Sequence, residues 1–223
     1  VVPMGKGKNS LLYVMRAESP GPQVDKLVPK LQNSAKILYA IYIALTLIQT
    51  ILLLIGGMPF FDSITTAFGT AGTGGFGIKG DSLAGYSHYL QGVCTVFMAL
   101  FGINFSVFYL LLLRQFSRVL HNQELWTYLG VMIGSAGLIA WNILPQFGGN
   151  VWEALHHAAF QVSSIMTTTG FATVDFNQWP TLSKTLLVVL MVLGACAGST
   201  GGGIKGARAV VLTKAGDRNI KRM

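Results

Sequence analysis

The sequence predicts an all-α membrane protein assembled from repeats of span, half-helix, glycine-rich loop and span. Three observations carry this. Of 223 residues, 52% are hydrophobic and 11% charged, whereas an average soluble domain carries about 25% charged residues. Four apolar stretches, 37–56, 88–113, 126–144 and 184–205, reach the roughly 20 residues that cross a bilayer. A short helix-forming run leading into a Thr/Gly loop occurs twice, once between each pair of stretches. A mean hydropathy of +0.54 excludes a disordered tail and most cytosolic enzymes.

The net charge is +8, from 16 basic and 8 acidic residues. Nucleic-acid binding would need a soluble basic face, and here the basic residues fall between apolar runs. Segments 1–36, 114–124 and 205–223 hold 14 of the 16 basic residues, against 4 of the 8 acidic ones. The connections that follow the first and third spans hold Lys79 and Lys184 against Asp62, Asp81, Glu153 and Asp175. The positive-inside rule then puts the first group, and both ends of the chain, in the cytoplasm. Cys94 and Cys196 lie within apolar runs and read as small packing residues.

Residues 1–36 are polar and punctuated by Pro20, Pro22 and Pro29, an interfacial or cytoplasmic connector without a signal-peptide pattern. The first repeat covers 37–120 and the second 121–223. After the first span, Pro59 opens a run of about 12 residues ending before Gly72. At 1.5 Å per residue it is near 18 Å long, enough to dip halfway into a membrane. The counterpart begins Val151-Trp152-Glu153, and Phe68 aligns with Phe160. Thr73-Gly74-Gly75-Phe76 then aligns with Thr168-Thr169-Gly170-Phe171.

Non-helical backbone at membrane depth must be buried in protein or line a watery cavity. Glycine allows successive carbonyls to point at one axis, and threonine adds a hydroxyl oxygen. Such a site replaces a cation's hydration shell, and potassium suits an all-oxygen set. The negative end of each half-helix dipole adds to the attraction. Thr73, Gly74, Gly75, Thr168, Thr169 and Gly170 are therefore the expected filter residues, which makes the architecture potassium-channel-like with re-entrant filter loops. A tight turn between two membrane helices is the plainer alternative.

The last span is interrupted by Gly194, Gly198, Ser199, Thr200, Gly201, Gly202 and Gly203. Each glycine costs a helix about 1 kcal/mol relative to alanine, so a continuous helix is not expected. One reading is a close packing seam of G-x-x-x-G type; the other is an unwound segment that gates a pore. Asn104, beside Gly102, is a polar group within the second span, either interhelical packing glue or pore-lining. Lys205 and Arg208 read as snorkelling anchors. Gly72-x-Gly74-x-x-Gly77 matches a dinucleotide fingerprint without its βαβ context. Ile204 stands where a phosphate loop needs lysine, and the adjacent His156 and His157 make no metal pair. No catalytic constellation is expected.

These residues resemble the Trk/Ktr/HKT superfamily of potassium transporters, most closely its bacterial Trk-type uptake branch. The carriers are Tyr13 to Pro22, Ala67-Phe68 through Gly75-Phe76, Gly102-Ile103-Asn104-Phe105, Thr168-Thr169-Gly170-Phe171 and, most specifically, Gly194 to Lys205. The resemblance implies four span–pore–span repeats around one pore, of which this chain matches the second and third. Residues 1–36 would follow a missing first repeat, and the fourth would begin after Met223. Either the chain is a fragment or two copies pair as half-channels; the order of the missing pieces favours a fragment. Gly75 and Gly170 correspond to the filter glycines, and 198–203 to a gating loop beneath them. An inner-membrane homodimer, partnered by a cytosolic nucleotide-binding regulatory subunit, is also implied. Potassium is then the substrate, with no cofactor. A non-conducting assembly subunit of pore-like ancestry is the alternative function.

Overall fold

A computed structural model describes residues 31–203, with side chains from residue 35 onward. The connector before residue 31, the tail after residue 203, and Lys205, Arg208 and Lys214 lie outside the described residues. All regular structure among the described residues is helical, in the order α1 (Leu31–Ile55), α2 (Phe60–Ala71), α3 (His88–Phe101), α4 (Phe105–Leu112), α5 (Phe116–Leu120), α6 (Gln123–Ile143), α7 (Val151–Met166) and α8 (Thr181–Leu193). A 3-10 turn, Leu144–Phe147, extends α6, and another, Phe176–Gln178, precedes α8.

Among the described residues, two helices are long and apolar enough to cross a membrane, Ala35–Ile55 within α1 and Gln123–Phe147 across α6 and its 3-10 turn. On α1, Ile43, Leu47, Ile51 and Ile55 are exposed. Their four-residue spacing makes one apolar stripe that the other described residues leave uncovered, as a lipid-facing helix requires. α2 and α7 are the two half-helices. Pro59 lies just before α2, so its missing N–H leaves no helical bond unmade. Asn150 caps α7 by accepting from the Trp152 and Glu153 amides.

Two expected spans are broken. The stretch 88–113 is not one helix: α3 and α4 meet at 90° across Gly102, Ile103 and Asn104. Asn104 causes the restart, its side-chain oxygen accepting from the Ser106 amide at 2.9 Å as the N-cap of α4. The last span begins at Thr181, after Pro180, and stops at Leu193. There Gly194 turns left-handed with φ 65°, and 194–203 is non-helical as expected.

The two repeats pack on each other. Ala136, Ile139, Ala140 and Ile143 of α6 pack with Ala158, Val162 and Met166 of α7 and with Leu187 and Leu190 of α8. Phe160 and Phe171 of the second repeat are buried among Leu53, Met58, Leu83, Leu90, Cys94 and Met98 of the first. Their counterparts Phe68 and Phe76 are 63% and 80% exposed. At the loop end of the first repeat, Tyr86 donates to Asp62 at 2.7 Å. Burial and that acceptor push its phenol up to about 12.

Candidate functional site

Both half-helices end in the same way. After α2, the amides of Gly72, Thr73 and Gly74 bond the carbonyls of Phe68, Thr70 and Gly69. After α7, Thr167, Thr168 and Thr169 bond Ser163, Ile165 and Ser164. Each set of three amides finds its carbonyl partners in the last turn of its own half-helix, a Schellman-like closure. The residue such a closure puts in left-handed backbone is usually glycine. Here it is Thr73 at φ 51° and Thr168 at φ 58°, a conformation that is a genuine outlier for a β-branched residue.

Two residues further on, Gly75 and Gly170 are again left-handed, at φ 64° and 93°. Gly74 and Thr169 between them are not. Backbone alternating in this way turns successive carbonyls toward one side, the arrangement a dehydrated cation needs. The loops also touch: a Cβ on Gly75 would overlap the Thr169 carbonyl. Gly170 has open space where its Cβ would lie, so its requirement for glycine is conformational. The second loop is braced further. Ser164 Oγ donates to the Phe171 carbonyl at 2.6 Å and accepts from the Gly170 amide at 3.1 Å. Thr167 and Thr169 share a hydroxyl–hydroxyl bond of 2.8 Å.

The interrupted last span lies against both loops. Thr73 Oγ1 donates to the Thr200 carbonyl at 3.4 Å, and Thr168 Oγ1 accepts from the Gly202 amide at 2.7 Å. The two strained threonines thus put their hydroxyls on one segment. A Cβ on Gly201 would come within 3.1 Å of the Thr167 carbonyl, and one on Gly202 within 3.2 Å of Thr168 Oγ1. The run of small residues is what permits this approach. Gly194 is held close to Gly202 and Gly203, so the segment folds back on its own start.

The break between α3 and α4 receives the same segment. The Cys196 amide donates to the Gly102 carbonyl at 3.1 Å, and the Phe105 amide donates to the Gly198 carbonyl at 3.1 Å. Thr200 Oγ1 donates to the Phe101 carbonyl at 3.2 Å, and Ser199 Oγ to Cys196 at 2.7 Å. Asn104 abuts the position of a Gly198 Cβ at 3.0 Å. Two non-helical breaks therefore satisfy each other's backbone, as membrane depth demands. In the sequence, Gly102 and Asn104 stand out within an apolar stretch that otherwise predicts one continuous helix. No local pattern singles out Glu124, whose carboxylate accepts from the Ala197 amide at 2.6 Å.

A family model described as TrkH, cation transport protein, matches residues 2–130 and 149–223. The chain belongs to this family. The Trk system potassium uptake protein TrkH of Salmonella typhimurium is 34% identical over 220 residues, covering 95% of this chain and 45% of that protein. TrkH of Halomonas elongata is also 34% identical, over 218 residues and with the same coverage. TrkG of Escherichia coli is 29% identical over 211 residues, 93% of this chain and 44% of its own length. The crystal structure of the potassium transporter TrkH from Vibrio parahaemolyticus superposes with a TM-score of 0.81 at 28% identity, over 95% of this chain and 45% of that one. The chain spans about half the length of these relatives. The family is one of transporters and not of enzymes, and the all-helical fold matches its architecture.

Proposed function

We propose that this chain forms two walls of a potassium-conducting pore, through which ions pass passively between backbone oxygens. Thr73, Gly74, Gly75 and Thr168, Thr169, Gly170 would supply those oxygens, and 194–203 would gate the path beneath them. The observation that carries this reading is the repeated left-handed backbone at Thr73 and Gly75 and at Thr168 and Gly170. Strained backbone persists where the surroundings hold it for a use. Potassium uptake is the activity for which the similar Trk proteins are named.

The remaining walls would come from a first and a fourth repeat of the same polypeptide. Supporting this, Phe160 and Phe171 are buried by the preceding repeat, while Phe68 and Phe76 face outward without one. Repeats that pack head to tail leave such an unmatched face until the ring closes. The apolar helices and the charge asymmetry support an inner-membrane location with 1–36, 114–124 and 205–223 on the cytoplasmic side. A homodimer working with a cytosolic nucleotide-binding subunit follows from the resemblance. The test is potassium flux into vesicles holding the purified complete transporter. Potassium-selective flux supports the reading, and a correctly folded protein without flux refutes it in favour of a non-conducting assembly role.

A further inference from the structure

The segment 194–203 is held by neutral hydrogen bonds to Phe101, Gly102, Phe105, Thr73 and Thr168. One described contact of the segment differs in kind. Half-buried Glu124 accepts at 2.6 Å from the amide of buried Ala197, just before Gly198. An acidic residue in the first turn of a helix often serves that helix's own dipole. Here the capping is done by Asn122, whose side chain accepts from the Leu125 amide at 3.2 Å. Glu124 is aimed across to the loop instead.

Its position is tied to the surface connector between the repeats. α5 leads into Asn122, and Val119 of α5 packs in one cluster with Val107 of α4 and Leu125 of α6. The Trp126 indole N–H donates to the Leu120 carbonyl at 2.7 Å. A shift of α5 would therefore carry the first turn of α6, and Glu124 with it.

We propose that Glu124 is the latch of the intramembrane loop: it positions the loop in its closed arrangement, and movement of the 114–122 connector releases it. This rests on the reading of 194–203 as a gate. A carboxylate bonded to an amide is stronger than a neutral pair, so a single side chain can bias a two-state segment. Its location at the end of a connector gives that bias a handle outside the membrane interior.

The test compares Glu124→Ala, Glu124→Asp and Glu124→Gln with the native protein in the complete transporter, reconstituted in vesicles without other subunits. Potassium flux is measured per folded molecule, together with the potassium-to-sodium permeability ratio. Ala and Asp should each raise basal flux by roughly 10- to 150-fold, the range expected from losing one hydrogen bond to a charged group. Gln keeps an acceptor oxygen without the charge and should fall between. The permeability ratio should not change. If the Ala variant does not fold, Asp and Gln carry the test. Native flux in the folded variants, a fall in flux, or an altered permeability ratio would overturn the latch. A native protein that conducts no potassium would instead refute the pore itself and the latch with it.

Discussion

Thr73 and Thr168 hold the same left-handed backbone, and both put their hydroxyls on one segment, Thr73 on the Thr200 carbonyl and Thr168 on the Gly202 amide. Glycine would sit at either position without strain, whereas a β-branched residue there costs about 1–3 kcal/mol. The hydroxyl is what the strain retains. It joins each loop to the segment that interrupts the last span, so the proposed filter and the proposed gate form one hydrogen-bonded unit.

That junction predicts a split between two conservative variants. Thr168→Ser keeps the oxygen that accepts from Gly202 and should leave closed-state leak unchanged. Thr168→Val keeps the shape and loses the oxygen, leaving an amide unpaired at a cost of about 1–3 kcal/mol. It should raise leak several-fold in vesicles of the complete transporter. Equal leak in the two variants would separate Thr168 from the gate.

Gly75 and Gly170 should fail differently. A side chain on Gly75 runs into the Thr169 carbonyl, so Gly75→Ala is expected to impair folding, read as loss of the monodisperse protein on size exclusion. Gly170 has room but a φ of 93°. Gly170→Ser should therefore fold, at a penalty of roughly 1–2 kcal/mol, and should lower potassium selectivity over sodium. An unchanged permeability ratio would remove Gly170 from the filter.

Deleting part of 198–203 distinguishes a gate from a packing seam. In the complete transporter a gate predicts raised basal flux with native selectivity. A seam predicts lower expression and unchanged flux per folded molecule.

The unmatched face gives a prediction on stability. Phe171→Ala removes a fully buried ring and should cost about 3–5 kcal/mol wherever it is measured. Phe76→Ala should cost little in this segment alone, because the ring is exposed. In the complete transporter it should approach the cost at Phe171. A small cost there would mean that no repeat covers that face.

Topology can be read by labelling. Cysteines placed at Lys79 and Asp175 should react with an impermeant reagent from outside, and those at Arg114 and Lys214 from the cytoplasm. Cytoplasmic labelling at position 79 would overturn the arrangement in which both loops enter from one face.

By itself the sequence determined where apolar runs are long enough to span, that two half-helices precede two Thr/Gly loops, and that the last helix breaks at Gly194. Those features depend on local quantities: run length, the helix cost of glycine, and the spacing of a repeat. The tertiary structure decided what a local reading cannot weigh. Gly102 and Asn104 look like two mild interruptions of an apolar helix, yet the chain turns through 90° there. The turn holds because Phe101, Gly102 and Phe105 exchange backbone hydrogen bonds with Cys196, Gly198 and Thr200, about a hundred residues along the chain. Glu124 is likewise an ordinary first-turn acid until Ala197 is brought to it. A backbone group freed by a break must find a partner inside the membrane, and only the folded chain specifies which one.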